Sequence, residues 1–170
     1  METKTGETEP RSRAEKNKEV VKRWTDALER RAFDEAVGCW APDAVNHASG
    51  RTAPAPSPPE AIRRLVDALR VAFPDRRWRI DDMIAEGDQV ACRMTVSGTF
   101  GATPVPPGPL PAGYLGLEST MLVPASAAGK PYSVKHIHIF RIAGGMIAEH
   151  WAARDDLSLL LQLGAIAGPP

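Results

Sequence analysis

Cysteine is scarce: only Cys39 and Cys92 occur, too few for a disulfide framework and not at a metal-binding spacing, so both read as buried free thiols. Charge of either sign in excess is also missing, since 21 Lys and Arg face 21 Asp and Glu. Without a basic field the chain has no electrostatic footprint for nucleic acid or anionic lipid. No apolar run approaches the roughly 20 residues of a membrane span, and the opening METKTGETEPRSR lacks the apolar stretch of a secretory signal. These absences predict a cytoplasmic protein with no nucleic-acid or membrane partner. With 43% hydrophobic residues in 170, one domain with a proper core is expected.

Residues 1 to 11 read as a disordered tail, and folding begins at Ser12, giving a single domain over 12–167. Ser12 to Glu15 fits a capping box, and Val20, Val21, Trp24, Ala27 and Leu28 recur at helical spacing, so 13 to 31 should be an amphipathic helix with Trp24 inward. Phe33, Val37 and Trp40 suggest a second helix, ended before Pro42 and followed by a loop, APDAVNHASG. Ser57-Pro58-Pro59-Glu60 predicts a third helix start, continued by Leu65, Val66, Leu69 and Phe73. Strands are expected at 77–85 and 89–99 around a Glu86-Gly87-Asp88 turn. From Gly101 to Pro131 the pattern breaks: seven prolines surround short apolar pieces containing Tyr114, Leu115, Leu117, Met121 and Leu122, which reads as a loop, a lid or an arm toward another subunit.

The stretch from Ser133 to Gly164 holds three of the four histidines. It reads as strand, Gly144-Gly145 turn, strand, helix. If the turn pairs Ala143 with Met146, strand alternation groups His136 and His138 with Glu149, Trp151 and Asp155, and puts His150 on the opposite face with Ala148 and Ala152. The face carrying Ile137, Ile139, Ala148 and Ala152 is too apolar for water, which predicts a homodimer. The whole order predicts an α+β domain, a curved antiparallel sheet packed against N-terminal helices and enclosing a pocket.

The segments FPDRRWRIDDMIAEGDQVACRMTVSGTF, YLGL, GKP and HIHIFRIAGGMIAEHWAARDDLSLLLQLG, with the early APDAVNHASG, resemble the SnoaL-like polyketide cyclase and ester cyclase family of the NTF2-like superfamily, over about residues 15 to 164. The resemblance implies a cone-shaped fold and a cyclase that closes a ring of a polyketide-type, apolar small molecule by intramolecular aldol chemistry, with no metal and no organic cofactor. Carried over by motif, the acid/base residue is Asp155, with Asp156 the second choice and otherwise the cap of the last helix; the partner histidine is His138. Asn46 and His47 would orient substrate oxygens, with His136 nearby and Trp24, Trp40 and Trp151 as apolar wall. His136, His138 and Asp155 could in principle hold a metal, but the resemblance argues for a metal-free pocket. The segments 101–112 and 118–128 look inserted relative to the family. The same residue set would also suit a dehydratase, isomerase or epoxide hydrolase, and a pocket without acid/base chemistry would suit a binding protein.

Overall fold

The structure, a computed structural model, describes residues 12–47, 55–56, 59–102 and 122–167. The expected tail, the Ser57-Pro58 helix start and most of the proline-rich segment, including Tyr114, Leu115, Leu117 and Met121, lie outside the described residues.

Helix α1 (Arg13–Glu29) begins as its sequence dictates: Ser12 Oγ accepts from the Glu15 amide at 3.2 Å, and the Glu15 carboxylate accepts from the Ser12 amide at 3.0 Å. Ser12→Ala should therefore cost about 1 kcal/mol, read as a lower denaturant midpoint at unchanged m-value. The helix closes in a Schellman turn, with Ala32 N–H on the Ala27 carbonyl at 2.8 Å and Arg31 N–H on that of Leu28 at 3.1 Å. Arg31 stands at φ 60° where glycine is usual, and its side chain donates to the Pro74 carbonyl at 2.7 Å.

Helix α2 (Phe33–Gly38) ends before Trp40, and APDAVN is not a loop but most of strand β1 (Trp40–Asn46). The reason is tertiary: β1 pairs in parallel with a strand about a hundred residues later, through Val45↔Glu149 and Asn46↔His150. Pro42 falls where that register shifts, a position that tolerates a residue with no N–H. The short β2 (Ala55–Pro56) pairs with β1, and α3 (Pro59–Ala72) follows. Strands β3 (Arg77–Glu86) and β4 (Gln89–Thr99) meet at a Gly87-Asp88 turn, and β5 (Pro131–Ala143) and β6 (Met146–Arg154) at Gly144-Gly145, all three glycines at positive φ. Helix α4 (Asp156–Leu163) is the last element among the described residues. The sheet order is β2-β1-β6-β5-β4-β3, mixed rather than purely antiparallel because β1 runs parallel to β6.

One buried cluster joins α1 and α2 to the sheet through Val21, Trp24, Val37, Met94, Phe140 and Ile147. A second, with Phe73, Phe100, Tyr132, Leu159 and Leu163, seats α4 and the end of α3. Cys39 and Cys92 are buried free thiols, as expected, and burial pushes the Cys92 thiol up to about 12. No helix among the described residues is long and apolar enough to cross a membrane.

The register of the β5–β6 hairpin decides the site. Ala143 pairs with Met146 and Ile142 with Ile147, as the turn predicts, but the next pair is Arg141↔Glu149. Ala148 is thus an extra residue, a bulge, and beyond it the alternation of β6 is reversed. His150 joins Phe140 and His138 on the inner face, while Glu149 and Trp151 turn outward. The outer face is accordingly less apolar than expected. Ala148 is buried and Ala152 lies opposite His138, while Ile137, 43% exposed, is flanked by a charged group in which Asp81 accepts from Thr95, Lys135 and Arg79.

Candidate active site

Between the inner face of the sheet and helices α1 and α3 lies a cavity of about 520 Å³, within the usual range for a small-molecule site. Trp24, Trp40, Trp78 and Phe73 supply apolar wall. They are in register for simple reasons: Trp24 is on the buried stripe of α1, and Trp78 lies next to it with ring centres 5.6 Å apart.

Four polar side chains of this cavity form a continuous line. Asn46 Oδ1 lies 3.2 Å from His150 Nδ1, His150 Nε2 lies 2.8 Å from His138 Nδ1, and His138 Nε2 lies 3.3 Å from His136 Nδ1. Each link follows from strand pairing. Asn46 is opposite His150 across β1–β6, His138 and His136 are alternate residues of β5, and the bulge brings His150 alongside them. The rings pack as well as bond, His138 stacking on Phe140 at 5.9 Å and on His150 at 5.1 Å.

All three histidines are at most 7% exposed. Burial is the main cause that holds them neutral: it lowers His136 and His150 to about 3 and drives His138 well below its usual value. The guanidinium groups of Arg76 and Arg154 add to this at His136 and His138. Arg76 is itself pulled down to about 10 by burial and stays charged at neutral pH. Among the described residues no group of three or more His, Cys, Asp or Glu side chains is arranged to hold a metal ion. The imidazole nitrogens point at one another in sequence instead of converging on one point.

Five of the residues singled out from the sequence line the cavity: Trp24, Trp40, Asn46, His136 and His138. Three do not. His47 bonds Glu149 at 2.7 Å and stacks on Trp151 with ring centres 4.5 Å apart, both outside the cavity lining. Asp155 is exposed and is the N-cap of α4, its carboxylate accepting from the Ser158 amide at 3.0 Å. That bond, more than the weaker influence of His136, holds the carboxyl below its ordinary value. The assignment of the cap to Asp156 is thereby corrected, since Asp156 is the first helical residue and lies 3.7 Å from Arg154. The cause is again the bulge, which reverses the parity on which Asp155 was placed among the histidines. Asp67, exposed and beside Arg70, is the one carboxylate lining the cavity among the described residues. Sequence reading missed His150, Arg76, Trp78 and Arg154. Trp78 and Arg76 adjoin an alternating strand pattern that gives no hint of which end enters a cavity.

The model of the SnoaL-like polyketide cyclase family matches residues 18–163. The chain belongs to this family. No curated protein matches it significantly in sequence. Among solved structures it is similar to TsrD from Streptomyces laurentii, at 27% identity over 92% of this chain and all of that one, with a TM-score of 0.68. IdmH from Streptomyces antibioticus, a proposed polyketide cyclase, shares 24% identity over 87% of this chain and 98% of its own, TM-score 0.63. An NTF2-like protein of unknown function from Burkholderia pseudomallei shares 14% identity over 87% of this chain and 97% of its own, TM-score 0.63. The last two show the fold alone: the NTF2-like cone, a curved sheet with helices that close it into a pocket.

Proposed function

We propose that this family member is an acid/base enzyme that closes a ring of a polyketide-type small molecule by aldol chemistry, with the histidine line moving the proton. The observation that carries the reading is the continuous Asn46–His150–His138–His136 line in a cavity walled by Trp24, Trp40, Trp78 and Phe73. With Asn46 Oδ1 as acceptor, a neutral His150 donates from Nδ1 and accepts at Nε2. His138 and His136 then do the same in turn. Asn46 thus sets every tautomer and leaves the His136 Nε2 lone pair at the open end of the line.

In the proposed reaction that lone pair takes a proton from the carbon beside a substrate carbonyl. The enolate carbon attacks a second carbonyl carbon in the same molecule, a C–C bond forms, and the resulting alkoxide takes the proton back from the imidazolium. No net proton or electron is consumed. Neutral His138 and His150, in line behind His136, spread the transient charge, and the aromatic walls hold the chain folded for attack.

A second reading, a protein that only binds an apolar ligand, is favoured by one observation, the exposed Asp155 whose carboxylate caps α4. Exchange separates the two. A polyketide-type β-dicarbonyl substrate in D₂O should lose its α-proton signal faster with enzyme than with buffer. His136→Phe should abolish the acceleration and Asp155→Asn should keep it. Binding without accelerated exchange would support the second reading, and loss on Asp155→Asn alone would return the base to Asp155.

A further inference from the structure

The guanidinium of Arg76 gives or takes no proton in the proposed reaction, yet it lines the same cavity. Its Nε is sealed from solvent and has no hydrogen-bond partner among the described residues. Its central carbon lies 4.3 Å from the ring centre of Trp78 and 5.2 Å from that of Phe73. Stacking of this kind occupies the faces of a guanidinium and leaves its in-plane N–H donors for something else. The acidic groups felt there are Tyr132, a phenol that burial pushes up to about 12 and so keeps neutral, and Asp156, whose carboxylate lies 3.7 Å from Arg154. A half-buried cation, stacked, with its Nε sealed and with no anion of its own among the described residues, is costly to a fold. Arg154, directly across the sheet from His136, brings a second guanidinium to the same cavity.

We propose that this end of the cavity binds a carboxylate of the substrate, so that the ring-closing enzyme acts on an acid and not on a neutral ketone or ester. The fork of in-plane donors on Arg76 matches the two oxygens of a carboxylate, and the tryptophans hold the apolar remainder. The carboxylate is a handle: the carbonyl that is enolised is a separate group, placed by the handle next to His136. An anion there also offsets two of the cations that hold His136 neutral, which strengthens it as a base once substrate is bound. This inference rests on the cavity being the substrate site.

The probes are 2-naphthoate and its neutral isostere 2-naphthamide, followed by quenching of the cavity tryptophans. The full chain should bind naphthoate at least tenfold more tightly. Arg76→Met, which fills the same space without charge, should erase that preference while leaving the amide's affinity within about twofold. Arg76→Lys should recover only part of it, because a point charge lacks the planar fork. Thermal melts of both variants check folding, and the wild-type preference is informative without either. Equal binding of acid and amide, or a preference that survives Arg76→Met, overturns the carboxylate inference and leaves the cavity as substrate site. Binding of neither probe overturns both.

Discussion

If the proposed mechanism holds, His138→Phe should lower turnover by about 100- to 10,000-fold, the range that positioned proton transfer contributes, with KM changed far less. His138 is the middle of the line, bonded at 2.8 Å to His150 and at 3.3 Å to His136. Phenylalanine preserves the stack on Phe140, so shape is kept and only the two nitrogens are lost. The neighbours then each lose a partner in a buried setting, at a cost of about 1–3 kcal/mol apiece. Steady-state kinetics with a cyclising substrate checks the result, and a variant with near-parental kcat would remove the line from the mechanism.

Acid should destabilise the fold well above the pH at which carboxylates protonate. His136, His138 and His150 are neutral in the folded state, two of them with values lowered to about 3 and the third well below its usual value. In the unfolded chain they titrate near 6.5. The unfolded state therefore binds more protons between about pH 6.5 and 3, so the stability associated with neutral burial is fully present above 6.5 and is lost as pH falls through that window. Three sites give a slope of up to about 4 kcal/mol per pH unit, and on the order of 5 kcal/mol is lost between pH 7 and 5. That is a large share of a typical domain's total. Asp75, Asp81 and Asp155, whose carboxyls are lowered by hydrogen bonds, act oppositely in origin and lower in pH: their contribution is present above about 4 and disappears as pH falls below it. Guanidinium titrations at pH 7, 6 and 5 check the window. His138→Phe should reduce the slope by about a third, and equal stability at pH 7 and 5 would contradict neutral burial.

Much of the local structure was legible because it depends on neighbours in sequence. The Ser12–Glu15 capping box, the inward Trp24, the Gly87 and Gly144-Gly145 turns and the first two pairs of the last hairpin are all short-range consequences of side-chain chemistry. Strand β1 was not legible, since APDAVN carries a proline and becomes a strand only when β6 arrives beside it. Nor was Arg76 visible as a cavity residue, because it begins a charged run, RRWR, that reads as an exposed strand edge.

What the amino-acid order by itself determined is the inventory: helices, turns, a histidine pair on one strand face, and a family likeness that the match over residues 18–163 bears out. The tertiary structure decided which of those side chains meet. A single unpaired residue, Ala148, sends His150 into the cavity and Trp151 out, and leaves Asp155 to cap α4. Strand periodicity of two makes facing all-or-none, so one bulge exchanges the whole set of residues beyond it. A bulge is set by how two strands fit the curvature of the sheet and not by the local pattern of either.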